Sequence, residues 1–158
     1  MTIHWPTGYT PAEADLHVSN SADCPVPAEA VWAWLIRPGH WHRFYRNARL
    51  IRPVGGPWPE LGPGSRFRWV TFGVPAISAV TEFQPPHRLA WSGGTLGVRG
   101  HHAWLLETTA AGCRITTEET QSSAAVRLLA PALRSMLSRQ HQEWVEGIAR
   151  IAETGKLP

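Results

Sequence analysis

Residues 124–153 are almost all helix formers, and Val126, Leu129, Leu133, Met136, Leu137, Trp144, Ile148 and Ile151 recur among them at helical spacing. No other segment of the chain predicts so long an amphipathic helix, and this one comes last. Pro131 lies inside it and predicts a kink or a break. The piece beyond the proline, about 22 residues, would be ~33 Å long at a rise of about 1.5 Å per residue. Gly155 suits the position just past the helix end. Any sheet built by the rest of the chain has to bury its apolar face against this one helix.

The rest of the chain reads mainly as strands. Leu16, Val18 and Asn20 alternate with His17, Ser19 and Ser21, which predicts a strand over 15–21. Pro27 opens a short helix over 28–36 with Val31, Trp34 and Leu35 on one face, and Pro38-Gly39 ends it. Trp41, Phe44 and Tyr45 predict a second short helix over 40–46. Strands are then expected over 48–54, 65–72, 75–83, 89–91, 98–108 and 113–121. Gly93-Gly94 is read as closing the third-last of these. Thr109-Ala-Ala-Gly112 is a hairpin turn joining the last two. Residues 1–13 have turn formers and no period, and are expected to be an arm ahead of a single domain over 14–155.

This order defines an α+β chain: a curled antiparallel sheet of about seven strands around a long C-terminal helix, with two short helices after the first strand closing one end. Such an arrangement, a curled sheet around a helix, leaves a cavity between sheet and helix, and every second strand residue faces it.

Composition excludes several function classes. Of the 158 residues, 43% are hydrophobic and 17% charged, too apolar for a disordered chain. The net charge is +3 with arginines scattered, so there is no nucleic-acid footprint. No apolar run approaches the ~20 residues of a membrane span. The first residues show neither the basic nor the apolar region of a secretory leader. The two cysteines, Cys24 and Cys113, make no disulfide framework and no CxxC pair, and lack a neighbouring His or Asp in sequence. A cytoplasmic protein is expected, as a monomer or homodimer. The unusual feature is nine tryptophans, suited both to a core and to the walls of an aromatic pocket.

Several elements together resemble one family. They are Pro25-x-Pro27-x-x-x-Val31-Trp32-x-x-Leu35, Trp41-x-x-Phe44-Tyr45, Gly64-Ser-Arg-Phe67-Arg68-Trp69, Glu82-Phe-x-Pro85-Pro86-x-Arg88-Leu89-Ala90-Trp91, His102-Ala-Trp104 and Thr117-Glu118-Glu119-Thr120. Over about residues 15–154 the chain is similar to the START-like, or SRPBCC, superfamily, and within it to the polyketide cyclase/dehydrase and lipid-transport group. That resemblance implies the helix-grip fold and a hydrophobic ligand cavity. It implies no single reaction, because members include cyclases, dehydratases and carriers.

The hairpin allows a sharper expectation. A turn centred on Ala110-Ala111 pairs Leu106 with Ile115, Trp104 with Thr117 and His102 with Glu119. The apolar members mark the inward face, so His102 and Glu119 share it, with Cβ atoms about 4.5–5.5 Å apart. A histidine beside a carboxylate in an apolar cavity is a general acid/base arrangement, and these two are the candidate catalytic residues. The same pair also suits a ligand contact or a structural bond, and all three readings stay open. Candidate ligand-binding residues are Tyr45 at the second short helix, Trp69, Trp91 and Trp104 on three strands, Thr117 opposite Trp104, and Met136 and Gln140 on the last helix. Gln140 interrupts the apolar stripe, so it either faces the cavity or marks a rotation of the stripe. His101-His102 and His40-x-His42 do not aim two rings at one ion, so no metal is expected. No phosphate loop is present, and no cofactor is expected. Two functions fit: an enzyme closing or dehydrating an aromatic or polyketide-like substrate, and a non-catalytic carrier or sensor of a hydrophobic small molecule or lipid.

Overall fold

The computed structural model describes residues 1–155. The 109–112 turn builds a hairpin one strand in from the edge of a seven-stranded antiparallel sheet. Its strands are β1 (Leu16–Cys24), β2 (Arg49–Gly55), β3 (Arg66–Thr71), β4 (Val74–Gln84), β5 (Arg88–Thr95), β6 (Val98–Thr109) and β7 (Gly112–Ser122), in the spatial order β1-β7-β6-β5-β4-β3-β2. Strands β2 to β7 follow one another as a meander, and β1 closes against β7. Helix α1 (Ala28–Leu35) follows β1, and the long α2 (Ala124–Thr154) ends the described chain. The expected helix-grip architecture is the one observed.

Local differences have local causes. The second short helix is a 3-10 turn, Pro38–Arg43, rather than a helix over 40–46. The predicted break at Pro131 does not occur, and α2 runs unbroken through it. The proline sits on an exposed stretch of the helix, where solvent can take up the carbonyl that its missing N–H leaves free. Gly93-Gly94 is not a turn but lies inside β5. A Cβ at Gly93 would meet the Ile77 carbonyl oxygen at 2.3 Å, and one at Gly94 the Val98 carbonyl oxygen at 2.2 Å. These glycines serve close approach of neighbouring strands. The chain turns instead at Leu96-Gly97.

Around β6 the sheet is covered on both faces, whereas the outward residues of β3 and β4, such as Arg66, Arg68 and Ile77, are exposed. On the inner face, Trp144 of α2 sits among Trp41, Trp69, Trp91 and Trp104, with ring centroids 5.1–6.3 Å away. On the outer face, the N-terminal arm lies across the strands. Trp5 packs on His17 and His101, Tyr9 packs on His101, and the Tyr9 carbonyl accepts from Thr120 Oγ1. His101 through Leu106 of β6 are therefore all buried, although they alternate between faces.

Close approach also fixes α2 against the segment before β2. A Cβ at Gly147 would lie 2.3 Å from the Phe44 carbonyl oxygen. Gly→Ala inside a helix is ordinarily favourable by ~1 kcal/mol. Here overpacking, about 1–3 kcal/mol, outweighs that gain. Gly147→Ala is expected to lower the melting temperature by several degrees in a circular-dichroism melt; an unchanged or raised value would contradict the contact.

Candidate functional site

Strand alternation and helix spacing assemble one polar cluster in an otherwise aromatic interior. The β6–β7 register pairs His102 with Glu119, Trp104 with Thr117 and Leu106 with Ile115, as the turn predicted. All face α2. Helix α2 adds His141, one turn ahead of Trp144 and Val145 on its buried stripe. His102, Glu119 and His141 thus come from two adjacent strands and the helix that crosses them.

The hydrogen bonds fix the roles of the atoms. Thr117 Oγ1 donates to the Ala103 carbonyl at 3.1 Å, so its only proton is used. It lies 2.6 Å from His102 Nε2 and must accept there from an N–H. In the neutral ring, Nδ1 of His102 then carries a lone pair, and it faces Glu119 Oε2 at 3.4 Å. Burial pushes His102 down to about 3, with the neighbouring His141 adding to the effect, so the ring is held neutral. Glu119 Oε2 also meets His141 Nε2 at 3.0 Å, and Glu119 Oε1 accepts from Gln121 Nε2 at 2.6 Å. Burial alone would raise the Glu119 carboxyl, but the His141 hydrogen bond and the two imidazoles hold it down at about 2. The His102 ring is sandwiched, stacked on Trp104 at 5.5 Å and on His141 at 4.7 Å.

A cavity of about 90 Å³ adjoins this cluster. His102, Glu119, Gln121 and His141 line its polar side, and Tyr45, Trp69, Trp91 and Trp144 its aromatic side. Thr71 and Phe72 from the β3–β4 hairpin and Thr95 and Val98 from the β5–β6 hairpin also border it. Of the residues singled out in the sequence, His102, Glu119, Tyr45, Trp69 and Trp91 border the cavity. Trp104 and Thr117 stand behind His102, one stacked on it and the other bonded to it. Gln140 is buried but accepts from Asn47 Nδ2 at 2.6 Å and does not line the cavity. Met136 needs correction: it is 36% exposed, because the buried stripe runs through Leu137, His141 and Trp144, one residue out of phase with it. His101 faces outward, bonded to Ser92 Oγ at 2.8 Å, so the His101-His102 pair is divided between the two faces of the sheet. His141 and Trp144 are site residues that pattern reasoning did not assign. His141 stood on the apolar stripe beside the flagged Gln140, and that was the available signal.

A family model described as polyketide cyclase / dehydrase and lipid transport matches residues 15–153. The chain belongs to that family. No curated protein matches the sequence. Among solved structures, a hypothetical protein of Helicobacter pylori is 30% identical, covers 96% of each chain and superposes with a TM-score of 0.88. A protein of Thermus thermophilus, TTHA0849, is 15% identical over 89% of this chain and 98% of its own, with a TM-score of 0.70. The di-domain ARO/CYC StfQ from the steffimycin biosynthetic pathway is 13% identical over 88% of this chain and 52% of its own, with a TM-score of 0.71. The last two likenesses are of fold. Among the described residues, no helix is long and apolar enough to cross a membrane.

The atom roles in the cluster are open to test. Thr117→Val keeps the side-chain shape and leaves the buried His102 N–H without an acceptor, a loss of ~1–3 kcal/mol. A lower melting temperature is expected. Nitrogen NMR should show His102 as the Nε2–H tautomer in the parent protein, and a mixed tautomer in the variant.

Proposed function

We propose that this member of the polyketide cyclase / dehydrase and lipid transport family binds a hydrophobic molecule bearing a carbonyl or hydroxyl group. The aromatic walls hold its apolar part, and its oxygen faces His102, Glu119 and His141, which move a proton on it. The observation that carries this reading is the cluster itself: a neutral imidazole lone pair and a carboxylate oxygen 3.4 Å apart beside a cavity walled by aromatic rings. Ring closure by aldol chemistry and loss of water both need a proton removed next to a carbonyl and a proton delivered to a leaving oxygen. Relatives of similar fold described as ARO/CYC proteins of biosynthetic pathways support this class of reaction.

Cavity size refines the substrate. Pockets for drug-sized ligands measure about 300–1,000 Å³, against about 90 Å³ here. Tryptophans occupy the space that a long polyketide chain would need. The substrate is therefore compact, or only its reacting end enters, and Phe72 at the half-buried β3–β4 turn is the wall with room to yield.

Acetophenone, an aromatic ketone with exchangeable α-protons, separates the enzyme from the carrier. Deuterium exchange in D2O, followed by proton NMR, is expected to be faster with the protein than in buffer. His102→Ala and Glu119→Gln should each remove most of the gain, which for acid–base participation amounts to about 10²–10⁴-fold. The double variant should fall little further, because both residues serve one unit. Quenching of tryptophan fluorescence by acetophenone without faster exchange would identify a carrier.

A further inference from the structure

We propose that His102 Nδ1, Glu119 Oε2 and His141 Nε2 form a binding site for one divalent transition-metal ion of the Zn²⁺ class. The proposal rests on the ligand-binding cavity described above and changes how the cluster acts in it: with an ion bound, His102, Glu119 and His141 would hold the ion, and the ion, in place of their own lone pairs, would polarise the ligand's oxygen.

Geometry is the first support. The three donor atoms all lie within 4.8 Å of one another. His141 Nε2 and His102 Nδ1 stand 3.0 and 3.4 Å from Glu119 Oε2. Two ligand atoms each about 2.0–2.1 Å from a shared ion are separated by roughly 2.8–3.0 Å at octahedral angles and roughly 3.3–3.4 Å at tetrahedral ones, so both donor pairs on Glu119 stand near the required spacing, and a pair as wide as 4.8 Å has to draw in on binding. The second support is the hydrogen bonding behind the donors. Ligating histidines donate their other ring N–H to an oxygen, which fixes the tautomer and turns the lone pair toward the ion. His102 does this through Nε2–H to Thr117, and Thr117 is itself anchored on the Ala103 carbonyl. His141 has no such support: its Nδ1 is buried without a partner, so ligation through Nε2 replaces the hydrogen bond to Glu119 and moves the ring proton to Nδ1. Glu119 Oε1 is occupied by Gln121, which leaves Oε2 for the ion. As the atoms stand, the His102 lone pair faces a carboxylate oxygen with no hydrogen bond between them, an opposition that a cation between the two relieves.

The third support lies in the cavity wall. Tyr45 Oη and Trp144 Nε1 are buried and have no hydrogen-bond partner among the described residues. Both residues line the cavity beside the three donors. Ion-bound water, or the oxygen of a bound ligand, supplies acceptors there. The donor set also selects the ion. Two imidazoles and one carboxylate suit Zn²⁺, Co²⁺ or Fe²⁺, while Mg²⁺ and Ca²⁺ favour all-oxygen shells.

The test uses the full chain, treated with a chelator and dialysed, then titrated with Zn²⁺ by calorimetry and with Co²⁺ by visible absorption. Expected are one Zn²⁺ per chain and Co²⁺ bands typical of nitrogen–oxygen coordination that saturate at the same ratio. Glu119→Gln and His141→Ala should weaken binding at least 100-fold. Thr117→Val should weaken it about 10–100-fold, as loss of a supporting hydrogen bond does. His42→Ala, at an exposed histidine remote from the cluster, should change nothing. No saturable binding by the parent chain, or undiminished binding in a folded Glu119→Gln or His141→Ala protein, overturns the site. If those variants do not fold, the Co²⁺ spectrum of the parent chain decides alone. Acetophenone quenching of tryptophan fluorescence in the chelated protein reports on the cavity separately, so loss of the ion site and loss of the ligand reading are told apart.

Discussion

The contact on which the rest of the structure depends is the seating of Trp144 against the concave sheet. Its indole stacks on Tyr45 at 4.1 Å and 7°, and meets Trp41, Trp69, Trp91, Trp104 and His102 at 5.1–6.3 Å. One helical side chain thus touches β3, β5, β6 and the segment following the 3-10 turn. Aromatic side chains each bury about 150–250 Å² and prefer tilted or offset contacts, so a cluster of this kind sets distance and angle together. With Trp144 in place, the preceding turn of α2 has no freedom left, and His141 arrives beside Glu119.

The same packing sets the scale of the chemistry. A helix-grip sheet with small inward residues would leave a large hollow; here indoles fill most of it and the remainder is a compact cavity against three polar groups. Rings screen the two histidines almost fully, while the Glu119 side chain keeps 15% exposure. In such surroundings charge is costly, which is why the His102 ring is neutral and why the carboxylate is held by two donors, His141 and Gln121.

Most of the fold was legible because strand parity and turn chemistry are local. Ala110-Ala111 set a two-residue turn, and from it followed the pairing of His102 with Glu119, each eight residues from the turn. The Leu133–Ile151 stripe gave the helix and its docking. What was not legible depended on tertiary contact. Met136 and Leu137 are neighbours on one stripe, and only the direction from which the sheet approaches decides which is buried. Gln140 reads as a cavity residue until Asn47, far away in sequence, is seen bonded to it. His141 looks like a lone histidine on an apolar face until Glu119 is placed opposite. The arm has no periodicity at all, because it pairs with nothing and lies across side chains instead.

That arm has a consequence for how the molecule opens. With rings above and beneath it, β6 between His101 and Leu106 has no face toward solvent. Its amides can then exchange with water only when the whole molecule unfolds, whereas the hairpin ends around Phe72 and Leu96 can open one at a time. The chain therefore combines two regimes of motion along single strands. Thus β6, which carries His102, is held at its middle and opens first at its Leu96 end, so a small molecule can be admitted there without disturbing the His102 ring.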